Sequence, residues 1–332
     1  MKFFPGKTAG DEADRSVGTV GSRRGSWIDP HALMRIKDLH LRAKVVVEGF
    51  YAGLHKSPYH GISVEFSEYR QYSPGDDPRY LDWRLYARSD RYYVKRFEDE
   101  TNLRCHLLVD LSRSMGFGSG DWTKADYART LAATLAYFLV KQHDAVGLVT
   151  FDAQIGEYLP ARYRPGHLHR LMLSLERPLA GKATDLAAPI EQIARTVSKR
   201  GLIVILSDLL APVEALERNL GYLRSRGHEV IVMRILDPAE QQFSFADAAI
   251  FHDLESDREL YVDPEAARGQ YERRFREHSG AIEEACRNLG VDLSLMTTAR
   301  PLELALFDFV NVRLRRGKQS PRRTSARRRR ST

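Results

Sequence analysis

The stretch Cys105-His106-Leu107-Leu108-Val109-Asp110-Leu111-Ser112-Arg113-Ser114-Met115-Gly116 decides the fold of this 332-residue chain. Cys105 to Val109 form a strand-like run, and the run ends in one carboxylate and two hydroxyls at alternate positions. A buried strand emerging at a sheet edge brings Asp110, Ser112 and Ser114 toward one small volume. Oxygen-only donors of this kind suit a hard divalent cation such as Mg²⁺, with Mn²⁺ or Ca²⁺ as substitutes, whereas Zn²⁺ prefers His and Cys. Alone the pentapeptide is a weak signal, because Asp and Ser cluster in ordinary turns.

Two downstream segments strengthen it. From Leu103 onward, strands are expected at 103–109, 145–151, 201–207, 229–236 and 291–297. Helices are expected near 122–142, 166–176, 186–198, 212–226 and 264–289. The strands are nearly continuous apolar runs, such as Leu202-Ile203-Val204-Ile205-Leu206, as required when both sheet faces are covered. The alternation predicts an α/β fold with a doubly wound, mostly parallel sheet, interrupted by a hairpin over 248–263. In such sheets ligands bind beyond the carboxyl ends of the strands, near the switch point of strand order. Three loops reach that edge: Asp110-Leu111-Ser112-Arg113-Ser114, Gly181-Lys182-Ala183-Thr184-Asp185-Leu186, and Ser207-Asp208-Leu209. Each also has a plainer reading. Ser112 or Ser114 can cap the following helix, and Thr184 or Asp185 can cap one beginning at Leu186.

The three-loop pattern resembles the metal-ion-dependent adhesion site of von Willebrand factor type A domains. The resemblance implies that Ser112, Ser114 and Thr184 are direct or near ligands, and that Asp110 and Asp208 act largely through coordinated waters. Neutral hydroxyls leave the cation electrophilic, so one open position can take a carboxylate from another molecule.

The rest of the chain sets the boundaries. Residues 1–28 lack apolar periodicity and read as a disordered N-terminus. Residues 29–100 read as a helix, from Pro30 to about Val47, followed by a small β-rich module with strands near 61–72 and 92–97. Residues 101–312 form the sheet domain. Residues 313–332 read as a disordered basic tail. The formal charge of +7 belongs to that tail, which holds ten Lys or Arg and no acidic residue. The remaining 41 basic and 44 acidic residues give the body no basic groove. No run of about 18 apolar residues is present to cross a bilayer. Cys105 and Cys286 make no metal spacing or disulfide framework, which fits a reducing cytoplasm.

The module before the sheet reads Glu65-Phe66-Ser67-Glu68-Tyr69-Arg70-Gln71-Tyr72-Ser73-Pro74-Gly75-Asp76-Asp77-Pro78-Arg79-Tyr80-Leu81-Asp82-Trp83-Arg84 and continues through Arg88 to Val94-Lys95-Arg96-Phe97-Glu98. This closely resembles the signature of the bacterial domain-of-unknown-function family 58, in which a type A-like domain follows the signature. The resemblance covers about residues 30–300. It implies that fold and a frequent pairing with MoxR-type AAA+ ATPases, but no established activity. In the signature itself, Arg70, Arg79, Arg84 and Arg88 match Asp76, Asp77, Asp82 and Asp90 in number, which suggests a polar network, with Trp83 as an anchor. Such a network either docks the module on the sheet domain or binds a partner.

The expected function is a non-catalytic, metal-dependent protein-binding adaptor that partners a MoxR-type ATPase and a client presenting an acidic residue. A Mg²⁺-dependent phosphotransferase or hydrolase is the alternative. Aspartyl phosphotransferases need a second Asp where this chain has Ser112, and neither G-x-S-x-G, a Walker A loop nor H-E-x-x-H occurs. An accessory role, binding nucleic acid or anionic membrane, falls to Arg322-Arg323 and Arg327 to Arg330.

Overall fold

Side chains along the central strand alternate between two cores. The strand β3 (Arg104–Asp110) sends Cys105, Leu107 and Val109 to one face and Leu108 to the other, as the two-residue period of a strand demands. The computed structural model describes residues 28–56, 69–71, 93–95, 103–177, 187–197, 199–243, 249–252 and 259–319. In chain order the elements before β3 are α1 (Pro30–Met34), α2 (Leu39–Lys56), β1 (Tyr69–Gln71) and β2 (Tyr93–Lys95). After it come α3 (Lys124–Lys141), β4 (Ala145–Phe151), β5 (Ile155–Arg162), α4 (His167–Leu175), α5 (Ala187–Thr196), β6 (Leu202–Ser207), α6 (Val213–Ser225) and β7 (Glu229–Leu236). The chain continues through α7 (Pro238–Gln242), β8 (Ala249–His252), β9 (Glu259–Val262), α8 (Pro264–Leu289), β10 (Asp292–Thr297) and α9 (Leu302–Gln319).

Six strands form the central sheet in the order β10-β7-β6-β3-β4-β5. All neighbours run parallel except β4 and β5. The fold is therefore the doubly wound, mostly parallel α/β sheet that the apolar runs predict. The crossover from β3 lands on one side at β4, and the chain later returns to the other side at β6, so the switch point lies between β3 and β6. One face is covered by α2, α3, α4 and α9, through residues such as Val46, Phe50, Leu135, Leu171 and Phe309. The other is covered by α5, α6 and α8, through Ile190, Leu216, Leu220 and Ile282.

The structure departs from the sequence reading in several places. The expected helix over Pro30 to Val47 is two helices, and Leu39, Ala43, Val46, Val47 and Phe50 of the second join the core of the sheet domain. Grouped by packing, α2 belongs to the sheet and not to a preceding module. Strand β5 is an edge strand absent from the sequence expectation; Pro160 and the polar residues of Ile155-Gly156-Glu157 hide it, and an edge is where a strand tolerates Pro. Helix α9 is also absent from that expectation and runs into the residues read as tail, where Arg313 pairs with Asp144 at 3.3 Å. His167, the first residue of α4, is buried, with Nε2 2.8 Å from the Val146 carbonyl. The hairpin over 248–263 appears as the antiparallel pair β8 and β9. Both cysteines are buried and free. No helix among the described residues is long and apolar enough to cross a membrane.

Candidate metal centre

The switch point puts the ends of β3 and β6 side by side, because Val109 pairs in parallel with Leu206. Asp110 and Asp208 follow at that edge, and both are fully buried. Asp110 uses both oxygens: Oδ1 accepts the Ser112 N–H at 2.9 Å, and Oδ2 accepts the Ser207 hydroxyl at 2.6 Å. The hydroxyls of Ser112 and Ser114 face each other at 3.1 Å. Neither caps the next helix. Thr123 does that, accepting from the Asp126 N–H in a reciprocal capping box. The two serine hydroxyls are thus left for the edge itself.

Asp208 sits in a sharper turn. Leu209 is a branched residue held at φ 56 and fully buried, a left-handed conformation that costs on the order of 1 kcal/mol outside glycine. It is fixed by the Leu209 N–H donating to Ser207 Oγ at 3.0 Å and by His278 Nε2, 3.1 Å from the Leu209 carbonyl. Strained backbone of this kind concentrates at functional sites. Arg234 donates from Nε to the Asp208 carbonyl at 3.0 Å and from Nη1 to Ser279 at 2.9 Å. The Asp208 carboxylate itself accepts from the Leu210 N–H at 3.2 Å and from Lys124 Nζ at 2.9 Å.

Lys124 was not among the residues the sequence singled out. Its side chain has no exposure, and its ammonium also reaches Glu240 Oε1 at 2.6 Å. A tight loop delivers it: the Lys124 N–H donates to the Phe117 carbonyl at 2.8 Å, and a Cβ at Gly118 would collide with the Trp122 carbonyl. Burial pulls the Lys124 pKa down, but Asp208 and Glu240 outweigh it, so the amine is held above its ordinary range and stays charged. Next to this group Asp237 caps α7 and gathers the Ser119 hydroxyl at 2.5 Å and the Thr298 hydroxyl at 3.1 Å. Burial works against that carboxylate, yet the hydrogen bonds from Ser119, Ala239 and Thr298 hold it below its usual range.

The electrostatics fit a cation. Burial, and then the charge of Asp208, push the Asp110 carboxyl up to about 7, against the downward pull of Ser207 and Ser112. A carboxyl raised in this way has its ionised form disfavoured by burial and by the neighbouring carboxylate, and a cation bound beside it would favour that form. All donors that converge are oxygens, and two are neutral hydroxyls, the set a hard divalent ion prefers.

The structure brings together Asp110, Ser112, Ser114 and Asp208, four of the five expected metal residues. Thr184 lies outside the described residues. Of the signature residues, Arg70 lies in β1 opposite Val94, whereas Asp76, Asp77, Arg79, Asp82, Trp83, Arg84 and Arg88 lie outside them. The residues that sequence reasoning missed are Lys124, Glu240, Arg234 and Asp237. Two carried a signal. Lys124 is a cation at the first position of a helix, where the dipole disfavours it, and Arg234 interrupts the apolar run of β7.

Comparison with known proteins places the chain. Residues 68–281 match the sequence model of the family described as protein of unknown function DUF58. The uncharacterized protein Rv1480 of Mycobacterium tuberculosis is 30% identical over 297 residues, covering 88% of this chain and 93% of that protein. Among solved structures, an aerotolerance-related membrane protein from Bacteroides fragilis is similar at 16% identity and a TM-score of 0.45, over 63% of this chain and 99% of that one. The von Willebrand factor type A domain of SpRpn10 is similar at 16% identity and a TM-score of 0.36, over 66% and 96%. The chain belongs to the DUF58 family.

Proposed function

We propose that this DUF58 protein is a non-catalytic adaptor that grips an acidic residue of another protein through a divalent cation at the β3–β6 edge. The observation that carries the reading is the burial of Asp110 and Asp208 at one switch point beside the facing hydroxyls of Ser112 and Ser114. Ser112, Ser114, Asp110 and Asp208 hold Mg²⁺ or Mn²⁺ in this reading, with Thr184 completing the set. When bound, the ion supplies an open position for a carboxylate oxygen. The chain's own residues do the rest: Ser207 and the Ser112 N–H fix the Asp110 rotamer, and the Leu209 turn aims Asp208. A site with few charged ligands leaves the ion attractive to one more anion, which is the property an adaptor needs.

The hydrogen bonds that pin both Asp110 oxygens still leave each a lone pair, and the second Asp that an aspartyl phosphotransferase needs is Ser112 here, which favours holding over attacking. The MoxR-type AAA+ ATPase remains the proposed partner on the strength of the signature in residues 65–98. The test is capture of the cognate ATPase or its clients by the full chain, by Ser112→Ala and by a chain cut after Gln319, each with Mg²⁺ and with EDTA. The reading expects capture by wild type and the truncated chain in Mg²⁺ alone. Capture by all three regardless of metal excludes it, and turnover of a phosphate ester by the purified protein replaces it with the enzyme reading.

A further inference from the structure

A lysine with no exposure, placed between two carboxylates at the end of a parallel sheet, needs a reason. As a helix start, Lys124 is poorly chosen, because the first turn of a helix carries partial positive charge and favours anions. As a stabilising ion pair it is also an expensive choice, since desolvating such groups offsets most of their attraction. Its geometry is specific. Nζ lies 2.9 Å from Asp208 Oδ2, on a carboxylate at the candidate centre, and 2.6 Å from Glu240 Oε1, on α7 outside it. Glu240 is itself fixed, because its other oxygen accepts the Asp237 N–H at 2.9 Å and its carbonyl accepts the Tyr271 hydroxyl at 2.7 Å. The amine therefore has two anchored seats, one shared with the site and one independent of it.

We propose that Lys124 is a tethered cation that competes with the divalent ion for Asp208, and so sets a low metal affinity that a ligand's carboxylate must supplement. This rests on the metal reading above. While Lys124 holds Asp208, the edge keeps its buried charge matched without an ion. On metal uptake Lys124 gives up Asp208 and keeps Glu240, so the ammonium never stands unpaired in the core. The arrangement makes the ion's hold on the protein alone weak, and its hold in a complex with an acidic partner stronger. It also ties metal uptake to α7, because the ammonium then bears on Glu240 alone.

Calorimetric titration with Mg²⁺ of wild type, Lys124→Met and Glu240→Gln tests the proposal. Removing one like charge a few ångströms from the ion should tighten Mg²⁺ binding by at least about tenfold in Lys124→Met, given an effective dielectric near 20. Glu240→Gln removes the independent seat, confines the ammonium to Asp208, and should weaken binding below wild type. Wild-type affinity, or weaker, in Lys124→Met overturns the proposal while leaving the metal site standing. Absence of Mg²⁺ binding in both wild type and a folded Lys124→Met removes the metal reading and this inference together. Where Lys124→Met does not fold with or without Mg²⁺, Glu240→Gln decides, and an affinity equal to or above wild type overturns the proposal.

Discussion

Strand β3 carries a buried titratable group near each end, and the two are handled in opposite ways. His106, near the amino end, is 5% exposed and its Nδ1 has no hydrogen-bond partner. Burial, and then the nearby His228 and Arg104, lower its pKa to about 4, so it is a neutral ring in the sheet. Asp110, four residues on, is surrounded by donors and lies beside a second carboxylate and a lysine. His106 is kept as a neutral ring, whereas Asp110 sits among hydrogen-bond donors and charged neighbours. The difference shows how one strand treats its buried titratable groups, since a buried polar group is tolerated either uncharged or with partners around it.

That contrast can be broken by changing either edge. The largest effect is expected at the carboxyl edge. Lys124→Met leaves Asp208 buried without its ammonium, and urea unfolding without metal at pH 7 should show a loss of roughly 3–5 kcal/mol. A loss below about 1 kcal/mol would mean that the edge does not store charge.

The amino edge should answer to pH instead. The His106 pKa is lower folded than unfolded, so the native state binds fewer protons between pH 6.5 and about 4. Its contribution is complete above the unfolded value and is lost as pH falls through that window. The stability gap between wild type and His106→Leu should therefore shift in favour of the variant by on the order of 2–3 kcal/mol from pH 7 to pH 4. Parallel pH profiles for the two proteins would contradict the neutral assignment.

A smaller effect belongs to the junction of α9 and the sheet. Arg313→Ala strips the ion-pair partner from Asp144, which is 2% exposed, and should cost about 1–2 kcal/mol by thermal or urea unfolding. Removing residues 320–332 should change stability by less than about 0.5 kcal/mol, while abolishing low-salt retention on heparin. The boundary matters: a cut at 313 removes the end of α9 as well as the basic run.

The sequence was readable wherever one short-range pattern was sufficient. Continuous apolar runs located β3, β6 and β7, and with them Asp110 at the end of β3, Ser112 and Ser114 just beyond it, and Asp208 just beyond β6. Helix α9 was readable in principle, since Leu302, Ala305, Leu306, Phe309 and Val310 follow a helical period. The basic residues that follow drew its end into the tail. Strand β5 was hidden by Pro160 and by the short polar alternation of an edge. Lys124 and Glu240 are 116 positions apart, and no local pattern reports that two such residues share a proton-donating contact. The switch point made the carboxylates predictable, but the cation that holds one of them is a product of tertiary packing.

The account stands on a divalent ion at the β3–β6 edge. Electron paramagnetic resonance of Mn²⁺ titrated with wild type and with Asp110→Ala, both verified as folded by circular dichroism, addresses it directly. The prediction is that wild type depletes the free Mn²⁺ signal, that excess Mg²⁺ restores it, and that Asp110→Ala leaves it unchanged. Equal depletion by the two proteins, or none by wild type at millimolar Mn²⁺, would contradict the account.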